Sequence, residues 1–560
     1  MKKLTIIKTL ACVAMLLGFT VTSNSQAYIR ATPYGQAAAT MDVGRGIVSD
    51  SDGSYFVTGY FSGTVSFGGA NLVSAGGRDI FVAKYSTAGV HQWSVRAGGA
   101  NDDEGASVAI DKEDSVYVTG YYTGSGTTGN FATTIGWGGR DIFVHKLSKT
   151  NGASYSLYMA GSTGNDEGTS ICFNVYTNTV FATGYHSNNC KFNSGGVIAS
   201  TGENVFTINL NPLLQNMWVR AGGSAGSDRG QSVCTDDSGR VYITGYYTGN
   251  ATFSTKTINS YGGSDVFFVK YDGVGNLMAI QRAGSATNDG GNGITCDGVG
   301  TIYVTGYHSN NATFGAAVLA ATLYDIFITK LDYTLSFISS ISPGSATNDA
   351  GNGIVLDRFC NTLYTTGYAS TGIDFGGGVR AINAQGVFLL RTDLALARVW
   401  DNIADGTVDE QGNSVACNGS KRIMVTGFTR STNCSFSGNI AASRGLADIF
   451  HAEFQEPGAA CAGAGAPGMF DPENQNTNVE TVVNINDINI YPNPTNNIVN
   501  LNTNDVITKV IVIDLAGKII TTSNPNTNTT TIDLTDYPNG IYILNITING
   551  QQLHKKIIKE

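Results

Sequence analysis

The chain has little of what catalytic and nucleic-acid-binding signatures need. Histidine is scarce, six in 560 residues. His91, His145, His186, His308, His451 and His554 form no H-E-x-x-H and no other ligand spacing, so no metal site is expected from them. There is no Gly-x-Ser-x-Gly elbow, P-loop or dinucleotide fingerprint between a strand and a helix. Basic residues are outnumbered, 33 against 43 acidic, and form no stripe. Without phosphate-neutralising cations, nucleic acid and anionic membrane surfaces are excluded as partners. The nine cysteines include no C-x-x-C pair, which removes the zinc ribbon and the dithiol redox motif. Charged residues make up only 14%. Past the N-terminus no apolar run is long enough to cross a bilayer.

Glycine is what the chain has in excess, 71 residues, with 42% hydrophobic residues beside it. That mixture excludes wholesale disorder and suits strands joined by tight turns. The organising stretch is Tyr117-Val118-Thr119-Gly120-Tyr121. It recurs seven times, with its glycine at 59, 120, 184, 245, 306, 367 and 427. So steady a period marks one supersecondary unit copied in tandem.

Each unit reads as four short strands. In the second copy they are 105–111, 116–122, 141–147 and 154–159, with a polar glycine-rich connection between the second and third. The third carries Asp-Ile-Phe, as in Asp141-Ile142-Phe143. The seventh unit lacks a fourth strand, and Tyr28-Ile29-Arg30-Ala31 at the other end of the chain matches the missing piece. A split unit shared between the ends describes a closed ring with few open edges. The expected fold is therefore all-β: a seven-bladed β-propeller over 28–455, closed by its N-terminal strand. A linker is expected over 456–486, where Ala/Gly-rich and Asn/Thr-rich composition takes over. Short alternating strands over 487–560 suggest a small Ig-like β-sandwich. Residues 1–27 read as a signal peptide, with Lys2, Lys3 and Lys8 before an apolar core from Leu10 to Val21. Cys172, Cys234, Cys296 and Cys417 fall on one strand of different units and read as buried thiols.

Two resemblances rest on these motifs. Asp236-x-x-Gly239, the Tyr-x-Thr-Gly-Tyr block and the Asp-Ile-Phe strand resemble the bacterial SBBP β-propeller repeat, which implies a fold but no activity. Tyr491-Pro492-Asn493-Pro494, the segment ending Gly517-Lys518, and Leu534 to Tyr542 with Gly540 resemble the type A C-terminal sorting domain of type IX secretion in Bacteroidetes. The second resemblance implies Sec export, passage across the outer membrane by the type IX machinery, and removal of the sorting domain in the linker.

Candidate chemistry is sparse. An acidic residue two before a glycine opens every unit: Asp42, Asp103, Asp166, Asp228, Asp289, Asp349 and Glu410. Ring closure puts all seven at one end, as a ligand-facing acidic rim or as turn caps. Asp50-Ser51-Asp52-Gly53 begins a calcium loop without its distal Glu. Asp401 to Glu410 breaks the repeat with carboxylates suited to acid/base work, or to a solvated loop. Phe61, Tyr122, His186, Tyr247 and His308, which follow the block, either meet sugars or pack between blades. No catalytic residue and no cofactor is expected, calcium being the single cofactor the sequence raises. The reading is a monomeric, non-enzymatic surface or secreted module that binds extracellular glycan or protein. A polysaccharide-degrading propeller and a structural coat component are the alternatives.

Overall fold

The computed structural model describes residues 27–35, 41–124, 126–128, 131–134, 136–193, 196–456, 489–514, 519–548 and 551–560. The signal peptide and nearly all of the linker, 457–486, lie outside them. The chain forms two compact units divided between 475 and 476. Among the described residues there is no α-helix.

Among the described residues the first unit holds seven four-stranded antiparallel repeats in chain order, numbered sheets 1 to 7; five are separate sheets, and sheets 3 and 4 join into one of eight strands through the Gly222–Phe253 pairing. Sheet 1 comprises Val43–Ser49, Tyr55–Val65, Leu72–Tyr85 and His91–Ala97. The first strands of successive sheets touch one another in a complete circle, from the first sheet through the seventh and back. Asparagines stitch that circle: Asn292 Nδ2 donates to Gly351 O, Asn352 Nδ2 to Gly412 O, and Asn413 Nδ2 to Gly44 O, at 2.7–2.9 Å. The last of these bonds joins sheet 7 to sheet 1. Ala27–Tyr34 completes sheet 7 by pairing antiparallel with Asp448–Gln455. In sheet 7 that partner is therefore flanked on both sides, by Ala27–Tyr34 and by Arg422–Thr429.

The repeated residues explain themselves at the sheet junctions. In all seven sheets the block threonine hydroxyl donates to the carbonyl of the Phe in the Asp-Ile-Phe position, at 2.7–3.0 Å. The same hydroxyl presses on the glycine that opens the next sheet. A Cβ on Gly44 would stand 2.2 Å from Thr426 Oγ1, and one on Gly351 2.0 Å from Thr305 Oγ1. No side chain fits there, so the glycine at this junction is a packing requirement. Tyrosines, phenylalanines and β-branched residues fill both faces of each sheet, because each sheet is covered by its two neighbours.

The polar connection between second and third strands stays a loop in sheet 6 but not in sheets 4 and 5. In sheets 4 and 5 the two strands run on as a projecting hairpin, Val241–Phe253 with Lys256–Tyr271 and Ile302–Phe314 with Ala317–Leu331. Each arm bridges to the end of the fourth strand of the preceding sheet, as in Gly222–Phe253 and Gly284–Thr313. Backbone pairing makes these arms; their polar side chains conceal it in the sequence.

In the second unit, Ile498–Asp514 is a long strand whose register breaks between Asn502 and Ile507. Its first half pairs with Asn489–Tyr491 and Thr527–Asp533, its second with Ile519–Ser523 and Gly540–Ile548. Val499, Leu501 and Ile532 from one half share a core with Val510, Val512, Leu544 and Ile546 from the other.

Candidate functional site

The acidic ring is inside the protein. Asp42, Asp103, Asp166, Asp228, Asp289, Asp349 and Glu410 are all at most 1% exposed. In the six aspartates Oδ1 accepts a backbone N–H from the end of the second strand, at 2.6–2.8 Å. In five of them Oδ2 accepts the N–H four residues earlier, at 2.5–2.8 Å. Glu410 accepts the Gly406 N–H in the same way. A rim that meets ligand is thus corrected to a ring of caps: buried turn ends need acceptors for their N–H groups, and the repeat supplies one per sheet.

A second carboxylate faces most of these caps. Asp79, Asp141, Asp265, Asp325 and Asp448, from the third strand of the preceding sheet, lie against Asp103, Asp166, Asp289, Asp349 and Asp42 respectively. Burial, with the facing carboxylate adding to it, pushes Asp42, Asp103, Asp265 and Asp325 up to about 7. Asn204 and Gly386 take the third-strand position at the two remaining junctions.

The other sequence candidates are spent on structure. Asp50 Oδ2 is 3.1 Å from Lys149 Nζ, so an ammonium already balances the would-be calcium loop. Asp401 is not solvated: Arg380 and Arg398 hold it at 2.8 and 2.5 Å, and its side chain is 2% exposed. Phe61, Tyr122, His186, Tyr247 and His308 are buried between sheets. Cys172, Cys190, Cys234, Cys296, Cys417 and Cys434 are free thiols, and Cys360 is disulfide-bonded.

What opens to solvent is the block's final aromatic. Tyr60, Tyr121 and Tyr185 are buried, each beneath an arginine: Arg78, Arg140 and Arg229 lie 4.8, 4.2 and 4.0 Å from the three ring centres. Those arginines, with Arg45, belong to ion pairs that run from sheet to sheet. Arg45–Glu104, Arg140–Glu167 and Arg229–Glu203 are 2.6, 3.1 and 2.8 Å long. The ladder stops at sheet 4. Where it carries Glu104, Glu167 and Arg229, sheets 5 and 6 carry Gly290 and Ala350. The loss of bulk and charge uncovers Tyr246, Tyr307 and Tyr368. With Ser264, Asn288 and Tyr324 they line a pocket of about 380 Å³ at the end of the ring where the first strands begin. The opposite end is crossed by Arg358 of sheet 6, whose Nη1 donates to Asp237 of sheet 4 at 2.8 Å. The uncovered tyrosines were not legible as a site, because all seven units carry an aromatic at that position; the signal lay in the neighbouring Gly290 and Ala350.

The C-terminal motif residues mostly hold their own unit together. Asn493 Oδ1 accepts the Ile558 N–H at 2.9 Å, and the Tyr542 hydroxyl donates to Pro538 O at 2.6 Å. The buried Lys559 ammonium donates to Leu534 O and Tyr537 O, so the basic end caps the Leu534–Tyr537 turn. Pro492 and Pro494 are exposed, and Gly540 has open space around its Cα. Gly517 and Lys518 lie outside the described residues.

Residues 92–131 match the family model described as a beta-propeller repeat, SBBP, and 489–560 match the secretion system C-terminal sorting domain. The chain carries an SBBP propeller repeat at 92–131 and a type IX sorting domain at 489–560. The tail engages the type IX machinery and sends the propeller to the cell surface or the medium. An uncharacterized WD repeat-containing protein of Acanthamoeba polyphaga mimivirus is 22% identical over 375 residues, 56% of this chain. The chain spans 26% of that relative's length. Among solved structures, hydrazine synthase of Kuenenia stuttgartiensis is 11% identical, with 68% of this chain and 91% of that one covered and a TM-score of 0.38. Sqt1 from Chaetomium thermophilum is 9% identical, with 77% and 100% covered and a TM-score of 0.39. None of these likenesses bears on what the propeller binds.

Proposed function

We propose that the exported propeller is a non-catalytic binding module that takes an extracellular glycan into its tyrosine-lined mouth. The observation that carries this reading is the pocket itself: four half-buried tyrosines with one serine and one asparagine. Aromatic faces cover the apolar faces of sugar rings, while hydroxyl and amide groups meet their hydroxyls. The lining carries no carboxylate, which favours binding over glycoside cleavage, since cleavage needs two at about 5–10 Å.

A glycan array probed with the exported chain should give selective signals. Tyr324→Ala or Tyr307→Ala should weaken the best of them at least tenfold, the scale of a central aromatic contact, with the thermal midpoint nearly unchanged. A flat array, or variants that bind as wild type does, refutes the proposal. Release of new reducing ends from the bound polysaccharide would move the reading to the enzyme class.

A further inference from the structure

At the junction of sheets 2 and 3 the repeat departs from itself in two residues at once. Asp166 opens sheet 3, His186 ends its second strand, Thr179–His186, and Cys190 lies in the arm strand Asn189–Lys191. One ligand atom from each of the three lies within 4.8 Å of the other two, and all three residues are fully buried. Neither ring nitrogen of His186 has a hydrogen-bond partner; the ring meets Phe192 edge-on instead. Asp141, from sheet 2, faces Asp166 from outside that group of three, and its charge also acts on Cys190; its Oδ1 has no hydrogen-bond partner, as at the equivalent Asp79, Asp265, Asp325 and Asp448. A buried imidazole with two vacant nitrogens beside vacant carboxylate oxygen is costly to leave unsatisfied.

The sequence contains its own control. Gly184-Tyr185-His186-Ser187-Asn188-Asn189-Cys190 in sheet 3 repeats as Gly306-Tyr307-His308-Ser309-Asn310-Asn311-Ala312 in sheet 5. Asp265 and Asp289 there stand for Asp141 and Asp166. In sheet 5 one ring nitrogen of the histidine is satisfied and Nδ1 alone is left without a partner: His308 Nε2 and Ser342 Oγ are 2.6 Å apart. Ser342 directly follows Ile341, the partner of Ile328, and in sheet 3 Ala221 directly follows Arg220 and pairs with Phe206, which holds the place of Phe327. So sheet 3 withdraws the hydroxyl that pairs the histidine and supplies a thiol where sheet 5 has Ala312. Val65, Ala251 and Ile373 fill the thiol's position in three other sheets, and in sheet 7 it is Cys434, a core thiol with no histidine at the end of the second strand; the pairing of thiol with imidazole is what sets sheet 3 apart. A cysteine there serving only as core does not explain the vacant imidazole.

We propose that Asp166, His186 and Cys190, closed by Asp141, form a structural binding site for a divalent cation of the zinc class. One sulfur, one imidazole nitrogen and two carboxylate oxygens make a four-donor set that zinc accepts, whereas calcium and magnesium demand oxygen alone. The site is sealed from solvent, as structural zinc sites are. Ligand atoms of a tetrahedral site stand roughly 3.5 Å apart, so the side chains draw together on binding, and the cation ties sheet 2 to sheet 3.

The test uses the full chain, refolded with and without one equivalent of Co²⁺ or Zn²⁺. Wild type should retain about one metal per chain after gel filtration, show cobalt–thiolate charge-transfer absorption, and gain thermal midpoint with zinc. Cys190→Ala, which copies Ala312, and His186→Phe, which copies Phe61, should fold, lose the absorption and lose the zinc-dependent gain. Absorption that persists in Cys190→Ala, or wild type that folds without retaining metal from either solution, overturns the proposal.

Discussion

Deleting residues 27–34 is expected to cost the propeller about 5 kcal/mol and to make the chain aggregate. Tyr34 is 8% exposed and packs against Phe67, Tyr85 and His451, so its burial alone is worth about 2 kcal/mol. Arg30 Nη1 lies 3.0 Å from Oε1 of Glu453, a carboxylate with no exposure. Removing one partner of a buried charge costs about 3 kcal/mol, even though Arg422 and the Tyr55 hydroxyl stay beside it. The deletion also strips Asp448–Gln455 of one ladder and leaves an open sheet edge, which recruits other chains. Thermal denaturation and light scattering of the deleted chain read both effects, and a synthetic peptide of residues 27–34 should restore the midpoint. A deleted chain that melts like wild type and does not aggregate would mean the ring is held without its closing strand.

Lowering the pH from 8 to 6.5 should stabilise the propeller by about 3 kcal/mol, reversing the usual behaviour of an acidic protein. Burial, chiefly, and at four of these sites a facing carboxylate hold Asp42, Asp103, Asp265, Asp325 and Glu410 up near 7, the first four from 3.8 and the last from 4.5. The folded chain keeps protons that the unfolded chain has released. This contribution is full below the unfolded values and is lost as pH rises through 7. Each of the five groups loses about 0.8 kcal/mol between pH 6.5 and 8, and three buried histidines return about 0.4 kcal/mol each, so the sum is about 3 kcal/mol, or about 3 °C in midpoint for a ring of this size. Burial depresses His145 and His451 to about 3 and His308 to about 4. Their contribution is full above 6.5 and falls away below it, so the gain should slow under pH 6 while keeping its sign. Asp265→Asn, which copies Asn204 at the next junction, should raise the midpoint at pH 8 and flatten part of the slope. A midpoint that climbs steadily from pH 6 to 8 contradicts the buried pairs.

Much of the fold could be read from the repeated residues because each answers to a contact made seven times. Threonine bonds the Phe carbonyl, glycine admits that threonine from the neighbouring sheet, and the acidic residue caps the turn. Tyr28 to Ala31 could be matched to the missing strand for the same reason. The projecting arms could not be read, since their pairing is made by backbone and their side chains, such as Asn250, Thr252 and Lys256, look like those of a loop. The mouth was hidden because it comes from what sheets 5 and 6 lack. The metal-ligating candidates were hidden for a different reason: His186-x-x-x-Cys190 is a modest spacing, and Asp141 joins it only through the third dimension.

The position of Asp448–Gln455 between two ladders has a mechanical consequence. This is the strand from which the polypeptide leaves toward the sorting tail. A pull applied at residue 456 along the strand's axis loads the hydrogen bonds on both flanks together in shear, and both ladders must break at once for the strand to come free.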